Sequence, residues 1–175
     1  VAERMIHACG MVDLADDIVF SDGAAEAGRA ALMNGAPVFC DAEMVRHGII
    51  KRLLPKGNEL LCLIRDDAVA GHATVIGNTR SAAQVDLWGD GISGALIAIG
   101  NAPTALFRLL ERLDEGAPKP ALILGLPVGF VGAAESKAEL TANSRGVPFI
   151  TLKGRRGGSA MAAAAVNALC TGWGA

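Results

Sequence analysis

His7 lies in Met5-Ile6-His7-Ala8-Cys9-Gly10, an otherwise apolar stretch closed by a glycine, with Arg4 three residues earlier. On a helix that spacing puts both side chains on one face. A guanidinium beside an imidazole able to titrate near neutrality suits an anionic ligand that has to be protonated. A lone histidine among apolar residues is more often a satisfied core residue, and the spacing leaves both readings open. The other histidines, His47 and His72, lie far from it in the chain, and none has H-E-x-x-H or Cys/His zinc spacing. His47, four residues after Glu43, reads as a local ion pair or a surface residue. Asp66-Asp67 could meet a cation, but adjacent carboxylates in a turn are the ordinary mark of solvent. No metal site is predicted. No serine sits in a G-x-S-x-G elbow, which argues against a hydrolase of that design.

Anion chemistry is suggested elsewhere. Gly154-Arg155-Arg156-Gly157-Gly158-Ser159 is glycine-rich, basic and placed before a helical pattern, where free N–H groups and the helix dipole favour negative charge. Tight-turn glycines followed by Ser159 as an N-cap would explain the same residues. The stretch lacks the G-K-[ST] ending of a phosphate loop, and Gly125–Gly132 lacks the G-x-G-x-x-G spacing of a dinucleotide site. A nucleotide-binding enzyme is therefore disfavoured. A net charge of −2, with two Trp, five Phe and no Tyr, offers nucleic acid neither a long-range field nor stacking platforms. Hydrophobic residues at 51% exclude a disordered chain.

The elements that must carry these residues are marked by one recurring punctuation. A helical pattern, then Gly-x-Pro, then an apolar run occurs at Gly35-Ala36-Pro37, Gly116-Ala117-Pro118 and Gly146-Val147-Pro148. Glycine supplies a left-handed cap and proline enters extended chain. The runs that follow, Val38–Cys40, Ala121–Leu124 and Phe149–Leu152, join Leu60–Ile64 and Leu96–Ile99 as predicted strands. They are continuously apolar, as strands covered on both faces should be. Leu106, Leu109, Leu110 and Leu113 form one helical stripe; Met161, Ala164, Ala165, Ala168 and Leu169 form a narrower one of small residues. Strands alternating with helices predict a single α/β domain over residues 1–175, with a five-stranded, mainly parallel sheet flanked by helices. This is a Rossmann-like arrangement without a dinucleotide motif. In such sheets ligands bind beyond the carboxyl ends of the strands. Gly, Pro, Asn and Ser interrupt the long uncharged stretches, so no membrane span is predicted, and four cysteines without a C-x-x-C pair fit a cytoplasmic protein. Val1 falls inside a helical pattern, so a further segment is expected upstream.

Six blocks in order along the chain resemble the precorrin-8X methylmutase family, which includes the cobalt-precorrin-8 methylmutases. They are Arg4–Gly10, Cys40–Val45, Ile76–Ala83, Ile99–Leu106, Gly125–Lys137 and Gly154–Ala160. The resemblance implies an isomerase of cobalamin biosynthesis that moves a methyl group from C-11 to C-12 of the corrin ring. The product is hydrogenobyrinic acid or, from the cobalt substrate, cobyrinic acid. It implies no dissociable cofactor, a homodimer with the active site near the interface, and an N-terminal segment that helps to build the pocket. The family's active histidine falls on His7 and a substrate-contacting arginine on Arg4. Such a substrate carries many acetate and propionate groups. Arg4, the Asn78-Thr79-Arg80 turn, the amides at Gly100-Asn101 and the Gly157-Gly158-Ser159 helix start are therefore the expected substrate-binding residues. A nonenzymatic tetrapyrrole-binding protein on the same fold is the alternative.

Overall fold

The three Gly-x-Pro glycines follow helices in the left-handed conformation, with φ of 86° at Gly35, 92° at Gly116 and 73° at Gly146. A computed structural model describes residues 1–171. The strands are β1 (Ile18–Phe20), β2 (Val38–Cys40), β3 (Leu60–Leu61), β4 (Leu96–Ile99), β5 (Leu122–Gly125) and β6 (Phe149–Leu152). The helices are α1 (Ala2–Cys9), α2 (Ala24–Met33), α3 (Glu43–Gly48), α4 (Asp67–Ile76), α5 (Arg80–Leu87), α6 (Pro103–Asp114), α7 (Ala133–Ala142) and α8 (Ser159–Cys170).

The sheet has six strands, not five, in the order β1-β6-β5-β4-β2-β3. The unexpected strand, β1, runs antiparallel to β6 at one edge, pairing Ile18 with Leu152 and Phe20 with Ile150. It is three residues long and never fully buried, too short and too exposed to show a strand pattern. The other five strands are parallel. Leu60–Ile64 yields only the two residues of β3, which is the opposite edge and has a partner on one side alone.

Alternation across the pleat divides the core in two. Leu96, Ala98, Leu122, Leu124, Ile150 and Leu152 face α1, α2, α3 and α8. Ile97, Ile99, Ile123 and Phe149 face α5, α6 and α7. The Leu106–Leu113 stripe is buried as expected. The α8 stripe is broader than expected: Ala162, Ala163 and Val166 are buried too, while Ala164 and Ala168 are half-buried. Helix α8 packs on α1, α2 and α3 as well as on the sheet, so one narrow face cannot serve it.

The chain passes from β2 to the edge strand β3 and returns to the other side of β2 as β4. The strand order therefore reverses between β2 and β4, the place where ligand crevices open in such sheets.

Candidate active site

At that reversal the protein has placed its own anion. Asp41, directly after β2 and fully buried, accepts N–H bonds from Gly100 (2.9 Å), Asn101 (2.9 Å) and Ala102 (2.7 Å) at the start of α6. Gln84 of α5 donates to the Asp41 carbonyl at 2.7 Å and fixes that stretch of backbone. Burial pushes the Asp41 carboxyl up from its ordinary value, while the three amides pull the other way. The amides of Gly100, Asn101 and Ala102, just before α6 and at its N-cap, are thus occupied from within by Asp41. The sequence signal for this was a carboxylate placed straight after the fully buried run Val38–Cys40.

Three of the expected patches meet along the carboxyl ends of the strands. Thr79 is the N-cap of α5, accepting from the Ala82 N–H at 3.1 Å, and its hydroxyl lies 2.8 Å from that of Thr104 in the first turn of α6. This ties the Asn78-Thr79-Arg80 turn to the segment after β4. On the other side, a Cβ at Gly100 would lie 2.8 Å from Ser159 Cα and from Ala162 Cβ, so only glycine lets β4 and α8 approach this closely. The Gly157-Gly158-Ser159 turn is therefore seated against Gly100. The N-cap of α8 is Gly158, not Ser159, which is already the first helical residue and makes no capping bond. A Cβ at Gly157 would lie 2.4 Å from the Pro127 carbonyl oxygen, and Gly158 donates its N–H to Leu126 at 2.9 Å.

Arg4 and His7 are exposed on α1, whose core face carries Met5. His7 is therefore no core histidine. Neither residue forms a hydrogen bond or ion pair to the other three patches among the described residues. Helix α1 packs on α8, the helix that begins at Ser159. Arg80 is exposed and has no ion pair among the described residues. Arg156, inside the glycine-rich stretch, is taken up by Asp13 at 2.7 Å and by Asp17. His47 forms a local pair as expected, its Nδ1 3.2 Å from Glu43; Asp66 and Asp67 are exposed, and Asp66 in addition caps α4, accepting from the Ala68 N–H at 2.9 Å. Among the described residues no three His, Cys, Asp or Glu side chains are grouped to hold a metal ion.

The sequence model of the family described as CbiC, precorrin-8X methylmutase, matches residues 1–171. The chain belongs to the precorrin-8X methylmutase family. It is 61% identical over 171 residues to the precorrin-8X methylmutase of Pseudomonas aeruginosa, covering 98% of this chain and 82% of that protein. It is 41% identical over 170 residues to the cobalt-precorrin-8 methylmutase of Priestia megaterium, covering 97% and 75%. Its fold superimposes on a crystal structure of the Thermus thermophilus precorrin-8X methylmutase with a TM-score of 0.87 at 38% identity, over 97% of this chain and 82% of that one. The two chains thus share the fold over nearly all of this one.

Proposed function

We propose that this protein is the methylmutase of cobalamin biosynthesis that converts precorrin-8X, or its cobalt form, by moving the methyl group from C-11 to C-12. Family membership carries the reading, and the exposed His7–Arg4 face supports it. In a [1,5]-sigmatropic shift the C-11–methyl bond breaks as the C-12–methyl bond forms, and the conjugated electrons redistribute around the ring. No nucleophile, hydride carrier or dissociable cofactor is needed; cobalt, where present, belongs to the substrate. A proton shared by His7 with the ring C nitrogen draws density from the migrating centre and stays with His7 or the ring when the shift is complete. Acid assistance of this kind contributes about 10²–10⁴-fold.

Arg4, Arg80, the Asn78 and Thr79 side chains, the Gly100-Asn101 segment and the Gly157-Gly158-Ser159 turn are proposed to hold the substrate. Arginines without partners among the described residues can each take a peripheral carboxylate with two parallel bonds. Because Asp41 already fills the amides of Gly100 and Asn101, that segment acts through the Asn101 side chain and through the close packing at Gly100. A homodimer with the site near the interface belongs to the same proposal. Phe130 and Val131, 86% and 88% exposed, give the loop after β5 an apolar surface beside the Gly157 turn. A cytoplasmic location fits the four free thiols.

Incubation with precorrin-8X and with cobalt-precorrin-8, followed by absorbance, tests the reaction and its metal preference together. Tight binding of both without conversion would replace the enzyme by a tetrapyrrole-binding protein. Sedimentation at one chain per particle would remove the dimer.

A further inference from the structure

The loop between β6 and α8 contains two arginines, and the structure gives them opposite settings. Arg155 is exposed without an ion pair among the described residues, whereas Arg156 is gripped at both ends. Its guanidinium reaches Asp13 through Nη1 at 2.7 Å and Asp17 through Nη2. Its carbonyl accepts a bond from the ammonium of Lys137, which is 1% exposed and comes from α7. The backbone around it is fixed as well. Gly129 donates to the Arg155 carbonyl at 3.4 Å, Gly158 donates to Leu126, and Lys153 donates to the Asp17 carbonyl at 2.8 Å.

Asp13 and Asp17 are not distant surface residues of some other element. They are the second and the last residues of the 3-10 turn Val12–Asp17, which follows α1 after Gly10 and Met11. In that turn only Leu14 is buried; Val12, Asp13, Ala15 and Asp16 are exposed. Apolar packing therefore holds the turn at a single point. His7 sits in the last turn of α1, six residues before Asp13. Solvent-exposed ion pairs add about 0–1 kcal/mol to stability, too little to account for a residue held from two elements. A fork spread between two carboxylates does, however, fix direction and distance.

We propose that Arg156 is a positioning residue: by binding Asp13 and Asp17 it locks the α1 end that carries His7 in register with the Gly157-Gly158-Ser159 turn. The proposal rests on the methylmutase reading of His7. Lys137 is the other half of the device, because it pins the backbone from which the Arg156 side chain extends. Arg156 is accordingly withdrawn from substrate binding, unlike Arg80, since a substrate carboxylate would have to displace two that are already in place. The mechanism explains why misplacement matters: a shift of about 1 Å in a reacting group can cost on the order of 10²-fold in rate.

The test uses the full-length protein, with kcat and KM measured on precorrin-8X for wild type, Arg156→Met, Arg156→Lys and Asp13→Asn. In parallel, the ring resonances of His7, His47 and His72 are followed by NMR in histidine-labelled protein, with His7 assigned through His7→Gln. Arg156→Met is expected to lower kcat by about tenfold or more with KM changed less than about threefold. It should displace or broaden the His7 resonance while His47 and His72 stay in place. Arg156→Lys, able to reach one carboxylate at a time, should fall between it and wild type, and Asp13→Asn should lose about two- to fivefold in kcat.

A large rise in KM at unchanged kcat would make Arg156 a substrate arginine and overturn the proposal. A lowered Tm with kcat, KM and the His7 resonance unchanged would reduce it to a stabilising ion pair and overturn it equally. If Arg156→Met does not fold, wild-type behaviour of both Arg156→Lys and Asp13→Asn overturns the proposal in its place. Absence of turnover in wild type would sink the methylmutase reading instead, and the His7 resonance would still report whether Arg156 holds α1.

Discussion

His7 stands on the exposed face of α1 without a hydrogen-bond partner among the described residues, and a sigmatropic shift asks of the protein little more than a proton held at the right nitrogen. Replacing His7 with Ala is therefore expected to lower turnover by about 10²-fold or more while product affinity stays within about tenfold. Circular dichroism should show the variant folded; near-normal turnover by a folded variant would remove His7 from the chemistry. Arg80 has the complementary role. It is exposed, opens α5 beside the Thr79–Thr104 contact, and has no carboxylate of its own among the described residues. Arg80→Ala should raise KM by about tenfold and change kcat little, as expected when a charge-assisted contact is made equally before and during reaction. Unchanged affinity with a lowered Tm would place Arg80 in the framework instead.

The junction of β2, β4 and α6 depends on Asp41. Its carboxylate satisfies three N–H groups that would otherwise be left without partners, and each such loss costs about 1–3 kcal/mol. Asp41→Asn retains one acceptor and turns an amide N–H₂ toward donors, so a loss of about 3 kcal/mol is expected in urea unfolding. A loss below about 0.5 kcal/mol would mean that water replaces the carboxylate there. This element also shows how far the chain could be read in advance. The parallel strands β2, β4, β5 and β6 were legible because continuous apolar runs followed Gly-x-Pro stops or lay between helical patterns. The edge strand β1 was not, because three half-covered residues carry no period. The patches at Gly100-Asn101 and Gly157–Ser159 were legible from their place after strands as well as from family resemblance, and that at Asn78–Arg80 from family resemblance alone. Their internal occupation was not: that Asp41 fills the amides leading into α6 and that Asp13 and Asp17 fill Arg156 are tertiary facts. The Arg156 pairings join residues 143 and 139 positions apart, beyond any local signal.

For the whole molecule, Lys137 sets a dependence of stability on pH that can be separated from every other group. Burial lowers its ammonium from the ordinary 10.5 to about 8, with Asp17 nearby opposing the shift. Below about pH 8 the folded protein carries a buried charge that the unfolded chain keeps in water. Between about 8 and 10.5 the unfolded chain binds the proton and the folded one does not, so stability rises with pH across that window. At about 1.4 kcal/mol for each tenfold change in proton affinity, the full gain is about 3 kcal/mol, of which about 1 kcal/mol falls between pH 7 and pH 9. The sequence has no tyrosine, so no phenol titrates in this range, but the thiols do. Burial raises Cys62, and raises Cys170 to about 11, so these groups make the folded state lose stability as pH climbs past the ordinary thiol range. The two slopes oppose each other, and wild type alone cannot separate them. Lys137→Met keeps the thiols and removes the amine. Denaturant unfolding of both proteins at pH 7 and pH 9 should therefore show wild type gaining about 1 kcal/mol relative to Lys137→Met. An equal response of the two proteins would mean that the Arg156 carbonyl and Asp17 hold the ammonium charged in the folded state up to its ordinary range, and Lys137 would then be a cation bound in place.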